Sequence, residues 1–165
     1  GPLSSMDKLL VLEGILKALA LAAQQARNAA QQAHQTATHA ENVAENKYDT
    51  LGLEAAYLAH GQSLRVVECG LDIEAFQAMK HQPWPADQPI HIGALVCLLD
   101  DQNNQRWLFL GPRAGGLKFH VGGREIVLIT PSAPLGKALL GCLVNTEITV
   151  NINGQHQHHE IIGIY

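Results

Sequence analysis

From Leu9 onward the apolar positions fall at Leu9, Leu12, Leu16, Leu19, Ala23, Ala26, Ala30, Ala33 and Ala37, alternately three and four apart. That spacing is a coiled-coil seam and predicts one long amphipathic helix. The seam is Leu in its first half and Ala in its second, so a partner helix can approach closely along the Ala half. Between seam positions lie Gln24, Gln25, Gln31, Gln32 and Gln35, good helix formers without charge. The pattern breaks over Thr36 to Asn42 and resumes on a second run, whose best seam is Asn46, Thr50, Leu53, Tyr57, His60, Leu64, Val67 and Leu71. Folded back antiparallel about residue 40, the two runs place Leu71 near Leu9 and Leu12, Leu64 near Leu16, and Tyr57 opposite Ala23. Large then meets small, as close packing requires. A parallel intermolecular coiled coil is the competing arrangement; a polar break followed by a seam of matching length favours the hairpin. Gly52 and Gly61 fall inside the second run at a cost of about 1 kcal/mol each relative to Ala. About thirty residues per leg, at about 1.5 Å each, make a rod on the order of 45 Å long. Such a rod holds its bend away from the second half of the chain.

The helical pattern ends near Lys80. Residues 81–89, with Pro83, Pro85 and Pro89, exclude helix and read as a linker. Short strand-like segments follow at Ile90 to Leu99, Arg106 to Leu110, Leu117 to Val121, Glu125 to Ile129, Glu147 to Ile152 and Glu160 to Tyr165. They are separated by the turn signals Asp101-Gln102-Asn103-Asn104, Gly115-Gly116, Gly122-Gly123 and Asn153-Gly154. Ser132 to Gly141 reads as one short helix with Ser132 as N-cap, Pro134 in its first turn and Gly141 ending it. The predicted class is α+β: an antiparallel coiled-coil hairpin over 6–80, the linker over 81–89, and over 90–165 a small antiparallel sheet around one short helix. Gly1 to Ser5 resemble the remnant of a removed tag, with Met6 as the expected native start.

Composition narrows the function classes. Apolar residues make up 47% of the 165, yet no window approaches eighteen uninterrupted apolar positions. No membrane contact and a cytoplasmic location are therefore expected. A formal net charge of −4 argues against a protein held to nucleic acid by its own phosphate contacts. Cys69, Cys97 and Cys142 form no C-x-x-C pair and read as reduced thiols.

The most suggestive chemistry lies at the bend. Glu41, Glu45 and Asp49 are spaced by four and share one helical face if the second helix has begun by Glu41. The helix dipole alone favours carboxylates at a helix start. Their functional reading is a hard cation such as Mg²⁺ shared with another macromolecule, because so few carboxylates leave an octahedral site incomplete. His156 and His158 share one strand face, without a third metal ligand in view, and read as polar surface. The Gly pairs match no phosphate-binding loop, and no Ser or Cys stands in a nucleophile motif. The chain offers no self-contained active site.

Two stretches resemble the Gre transcript cleavage factors of bacterial RNA polymerase. His39-Ala40-Glu41 followed by Glu45-Asn46-Lys47-Tyr48-Asp49 resembles the family's tip, an H-G-D-x-x-E-N-x-x-Y type sequence between two coiled-coil helices. Pro131 to Gly141, followed by a final hairpin ending in Ile162-Gly163-Ile164-Tyr165, is similar to its carboxy-terminal S-P-h-G-x-A-L-h-G signature, with h apolar. The resemblance implies an FKBP-like second domain without prolyl isomerase activity. It also implies that this domain docks outside the polymerase's secondary channel through Ser132, Ala133 and Pro134. The coiled coil would enter, and Glu41 and Glu45 would help hold an Mg²⁺ shared with the polymerase, which itself cleaves backtracked RNA. The chain would act as a monomer, touch the RNA 3′ end only indirectly and not be an enzyme in its own right. Three departures are visible. One extra residue between His39 and Glu45 leaves either Glu41 or Asn42 at the tip aspartate position, Ala133 replaces a serine, and the first helix carries only Lys8, Lys17 and Arg27 as basic residues. The alternatives are a non-cleaving regulator or inhibitor of the same channel and, from another class, an FKBP-like isomerase or chaperone with a coiled-coil arm. The last needs a deep aromatic pocket, for which the few aromatic residues give poor support.

Overall fold

The computed structural model describes residues 5–43, 50–80 and 82–165. Two long helices, α1 (Ser5–Val43) and α2 (Thr50–Gln77), precede strands β1 (Leu95–Asp100), β2 (Gln105–Leu110), β3 (Lys118–Val121) and β4 (Arg124–Ile129). The short helix α3 (Pro134–Leu139) and strands β5 (Glu147–Ile152) and β6 (Gln155–Ile164) complete the chain. It divides into two compact units. One comprises Leu19–Glu74, and the other comprises the residues up to Ala18 with Ala75–Tyr165.

In the helical unit the Ala half of the α1 seam is as the spacing predicts. Leu19, Ala23, Ala26, Ala30 and Ala37 are buried and Ala33 is half-buried. The face that α2 turns toward it is not the expected one. Ala23 and Ala26 form a core with Cys69, flanked by Val66 and Ile73. His34 Nε2 meets Ser63 Oγ at 3.0 Å, and that hydroxyl donates to the Ala59 carbonyl at 3.0 Å. The inward seam of α2 is thus Ala55, Ala59, Gln62, Val66, Cys69 and Ile73, again three and four apart. From Leu53 to Leu71 the predicted seam is exposed instead, with Tyr57 at 75%. The register Tyr57 opposite Ala23, and with it a bend about residue 40, is corrected: α1 runs on to Val43 and α2 begins at Thr50. Small side chains win because an Ala stripe lets the helix axes come close, and Leu or Tyr wedged between them would hold them apart over voids. Over Lys8–Ala40, α1 is also long and apolar enough, by length and composition, to cross a membrane.

In the sheet unit the strand order is β3-β4-β2-β1-β6-β5. The sheet is mixed rather than antiparallel, because β2 pairs with β4 in parallel while the other neighbours run antiparallel. One face carries Val96, Leu98, Leu108, Leu110, Val150 and Ile161, closed by Leu135 and Leu139 of α3. The opposite face carries Leu95, Phe109, Phe119, Ile126 and Leu128, all buried. It is covered by the helix ends that belong to this unit. A Cβ on Gly14 would stand 2.9 Å from Val121 and 3.2 Å from Phe119, and the Phe76 ring lies 6.3 Å from that of Phe109. This second contact rotates the first turns of α1. Val11 and Ile15 are buried while Leu9, expected on the seam, is exposed.

The turn signals behave as their chemistry demands. Asn153 and Gly154 both have positive φ, 54° and 81°, and join β5 to β6 as a two-residue hairpin. β6 therefore starts at Gln155 rather than near Glu160, and β1 starts at Leu95 rather than Ile90. Ile90 is nevertheless buried, tied by its N–H to the Cys142 carbonyl and by its carbonyl to the Gly141 N–H, each at 2.8 Å. Cys69 and Cys97 are buried, Cys142 is half-buried, and none is paired. Burial pushes the Cys97 thiol up to about 11.

Lys8 is a buried cation. Its Nζ lies 4.4 Å from the centre of the Trp84 ring, which packs at 4.3 Å on His91. Burial pulls its ammonium down to about 8, and the ring face returns part of the lost solvation. An unfolded lysine keeps its proton up to about 10.5, so from about 8 to 10.5 the unfolded state binds more protons and stability rises with pH. Lys8→Met is expected to resist denaturant better than the parent at neutral pH and to show less of that rise. Equal pH slopes in the two proteins would contradict the placement. Glycines give a second check by equilibrium unfolding. A Cβ at Gly136 would overlap the Thr130 carbonyl oxygen, so Gly136→Ala should cost about 3 kcal/mol. Gly61 meets nothing within 4 Å, and Gly61→Ala should stabilise α2 by about 1 kcal/mol. Equal effects at the two positions would contradict the packing of α3.

Candidate functional site

Two regions carry the residues singled out by sequence: the bend between α1 and α2, and the segment leading into α3. At the bend, Glu41 and Asn42 belong to the last turn of α1, which ends at Val43. Glu41 therefore does not share the first turns of a second helix with Glu45 and Asp49. A carboxylate in a last helical turn faces the negative end of the dipole, and α1 has no basic residue there to offset it. The dipole thus gives no reason for an acid at position 41. Glu45, with Asn46 to Asp49, lies outside the described residues. Among the described residues no group of three or more His, Cys, Asp or Glu side chains is placed to hold a metal ion. A cation at Glu41 and Glu45 would take its remaining ligands from elsewhere.

The segment before α3 is held from several directions. The Ala133 N–H donates to the Thr130 carbonyl at 3.1 Å, and the Lys137 N–H donates to the Ala133 carbonyl at 2.9 Å. The N-cap of α3 is Ala133, with extended backbone and no side-chain cap, and Pro134 opens the helix. Ser132, expected as the cap, instead has its hydroxyl 2.7 Å from that of Thr130. Leu135, Gly136 and Leu139 are buried, and the Gly136 backbone lies directly on the Thr130 carbonyl. Ser132 and Pro134 are left exposed and Ala133 half-buried on a backbone with little freedom. A hydroxyl and a pyrrolidine ring fixed this way suit recognition by a partner surface. They offer no nucleophile with a neighbouring base.

The histidines of β6 do not make a metal centre. His158 Nδ1 is 2.9 Å from Thr149 Oγ1. His159, one residue on, is buried, with Nδ1 unpartnered. Its burial and then the Arg106 charge lower its pKa from the ordinary histidine value. His159 lines a polar pocket with Asp100, Asp101, Glu147, His158 and Glu160. A second pocket lies beside Trp107, where the Arg124 guanidinium sits 4.8 Å from the ring centre. Neither has the apolar aromatic lining of a prolyl site, and Phe76, Phe109 and Phe119 are committed to the core. The sequence reading left His159 as polar surface beside His156 and His158, because a strand beginning at Glu160 gave it no partner on β1; in the structure it pairs with Asp100.

No family model matches the chain, and no curated protein matches it. Similar solved structures include the GreA factor homolog 1 (Gfh1) protein of Thermus thermophilus, at 16% identity and a TM-score of 0.38, over 92% of this chain and 95% of that one. The Gfh1 of Thermus aquaticus is similar at 16% identity and a TM-score of 0.39, over 93% of this chain and 95% of that one. The prokaryotic transcription elongation factor GreA/GreB from Nitrosomonas europaea is similar at 23% identity and a TM-score of 0.35, over 56% of this chain and 76% of that one.

Proposed function

We propose that this chain is a Gre-like elongation factor of bacterial RNA polymerase. It binds at the secondary channel and stimulates cleavage of backtracked RNA in the cytoplasm. The observation that carries the reading is the coincidence of two motifs with two structural positions. The tip-like sequence falls where α1 gives way to α2, and the S-P-h-G-x-A-L-h-G-like sequence forms the rigid entry into α3. Glu41 and Glu45 supply carboxylate to an Mg²⁺ otherwise held by the polymerase. Such a cation, when bound, would supply Lewis-acid chemistry to the phosphoryl group and the attacking water, and that chemistry would belong to the polymerase. Ser132, Ala133 and Pro134 dock the sheet unit on the channel rim.

One observation favours a second reading, a channel regulator that does not cleave. Glu41 lies within α1 and the stretch from His39 to Glu45 has one residue more than the family pattern; with Asn42 rather than Glu41 at the aspartate position, a metal ligand is weakened. Stalled, backtracked polymerase incubated with the protein and Mg²⁺ separates the two. The proposal expects shortened RNA, and the Glu41→Ala, Glu45→Ala double variant should lose about 100-fold in rate while still binding. Binding without shortening leaves the regulator. Absence of binding removes both.

A further inference from the structure

Helix α2 carries two seams. The inward one packs on α1. The second, Leu53, Tyr57, His60, Leu64, Val67 and Leu71, has the same alternation of four and three and lies on nearly the opposite side of the helix. Its five apolar members are 45% to 75% exposed. Among the described residues no packing explains six successive heptad positions on an exposed face; a solvated helix face is normally polar. We infer that this stripe is a self-association surface, on which α2 of a second copy of the chain packs antiparallel.

The stripe's own symmetry argues for a second copy. About Gln62 it is a palindrome: Leu53 answers Leu71, Tyr57 answers Val67 and His60 answers Leu64. A two-fold axis at that point pairs the largest side chain with the smallest and never sets a residue against itself, the isologous arrangement of symmetric dimers. A parallel pair would stack Tyr57 on Tyr57 and His60 on His60, giving layers of uneven width. Along one flank run Ala56, Ser63 and Gly70, small enough for the backbones to approach. Along the other run Glu54, Gly61 and Glu68, and Glu68 already has Arg65 of its own helix at 3.6 Å. Covering the five apolar side chains on both copies removes on the order of 1,200 Å² from water, the size at which specific interfaces begin. An interface at that lower limit of size is expected to give a weak, concentration-dependent dimer. This inference goes beyond the proposed function and needs no polymerase.

Sedimentation or light scattering of the full chain tests it. The parent is expected to move from monomer to dimer as its concentration rises to about 100 µM. Tyr57→Glu with Leu64→Glu should stay monomeric with an unchanged helical circular dichroism signal. Cross-linking in the folded parent background gives the orientation. Mixed Leu53→Cys and Leu71→Cys chains should form a disulfide-linked pair, and Leu53→Cys alone should not. A parent that is monomeric throughout, a double variant that still dimerises, or Leu53→Cys chains that cross-link to each other would each overturn the inference. So would a monomeric parent whose stripe variant loses only polymerase binding, since the occupant would then be the polymerase.

Discussion

The close approach of α1 and α2 is the constraint from which most of the helical unit follows. An alanine stripe on α1 sets the distance between the axes, and Cys69, Val66 and Ile73 pack across it, with Ala59 buried further along α2. Packing density then decides the rotation of α2, because a Leu or Tyr in that gap would forfeit contacts along the whole stripe. The larger side chains are turned outward as a consequence. Hydrophobicity alone would have chosen the opposite face, and it loses because burial is favourable only where the buried shape also fills space.

In the sheet unit the comparable constraint is the seat of α3. Gly136 lets the helix lie on the Thr130 carbonyl, Leu135 and Leu139 fill the space beneath it, and the hydrogen bonds between Ile90 and residues 141 and 142 close the far end. These contacts fix Ser132 to Pro134 without any direct contribution from their own side chains to the core. A segment held this way keeps little conformational freedom of its own.

Much of this was legible in the sequence where local chemistry is decisive. The Asn153-Gly154 hairpin, the strands β2 to β5 within a residue or so and the Ala half of the α1 seam follow from turn geometry and periodicity. What was not legible depends on partners distant in sequence. The face of α2 depends on side-chain size on α1, and the parallel pairing of β2 with β4 depends on topology. The cap of α3 depends on Thr130 drawing away the Ser132 hydroxyl, and the rotation of the first turns of α1 depends on Phe119 and Val121. Of the candidate site, the segment from Ser132 to Pro134 was readable as a motif, and the close approach of Gly136 to the Thr130 carbonyl gives a steric reason for the glycine that follows it. The carboxylates at the bend were readable only as a pattern. The structure moves Glu41 into the end of α1, and Glu45 lies outside the described residues.

The register between α1 and α2 decides how the helical unit packs, and the native Cys69 gives the means to measure it. A cysteine introduced at Ala23 or Ala26 should close an intramolecular disulfide with Cys69 on mild oxidation, identified by the mass of the linked peptides. Failure of both to pair with Cys69, while Ala23→Cys pairs with Tyr57→Cys in a Cys69→Ser chain, would restore the large-residue seam and contradict the account.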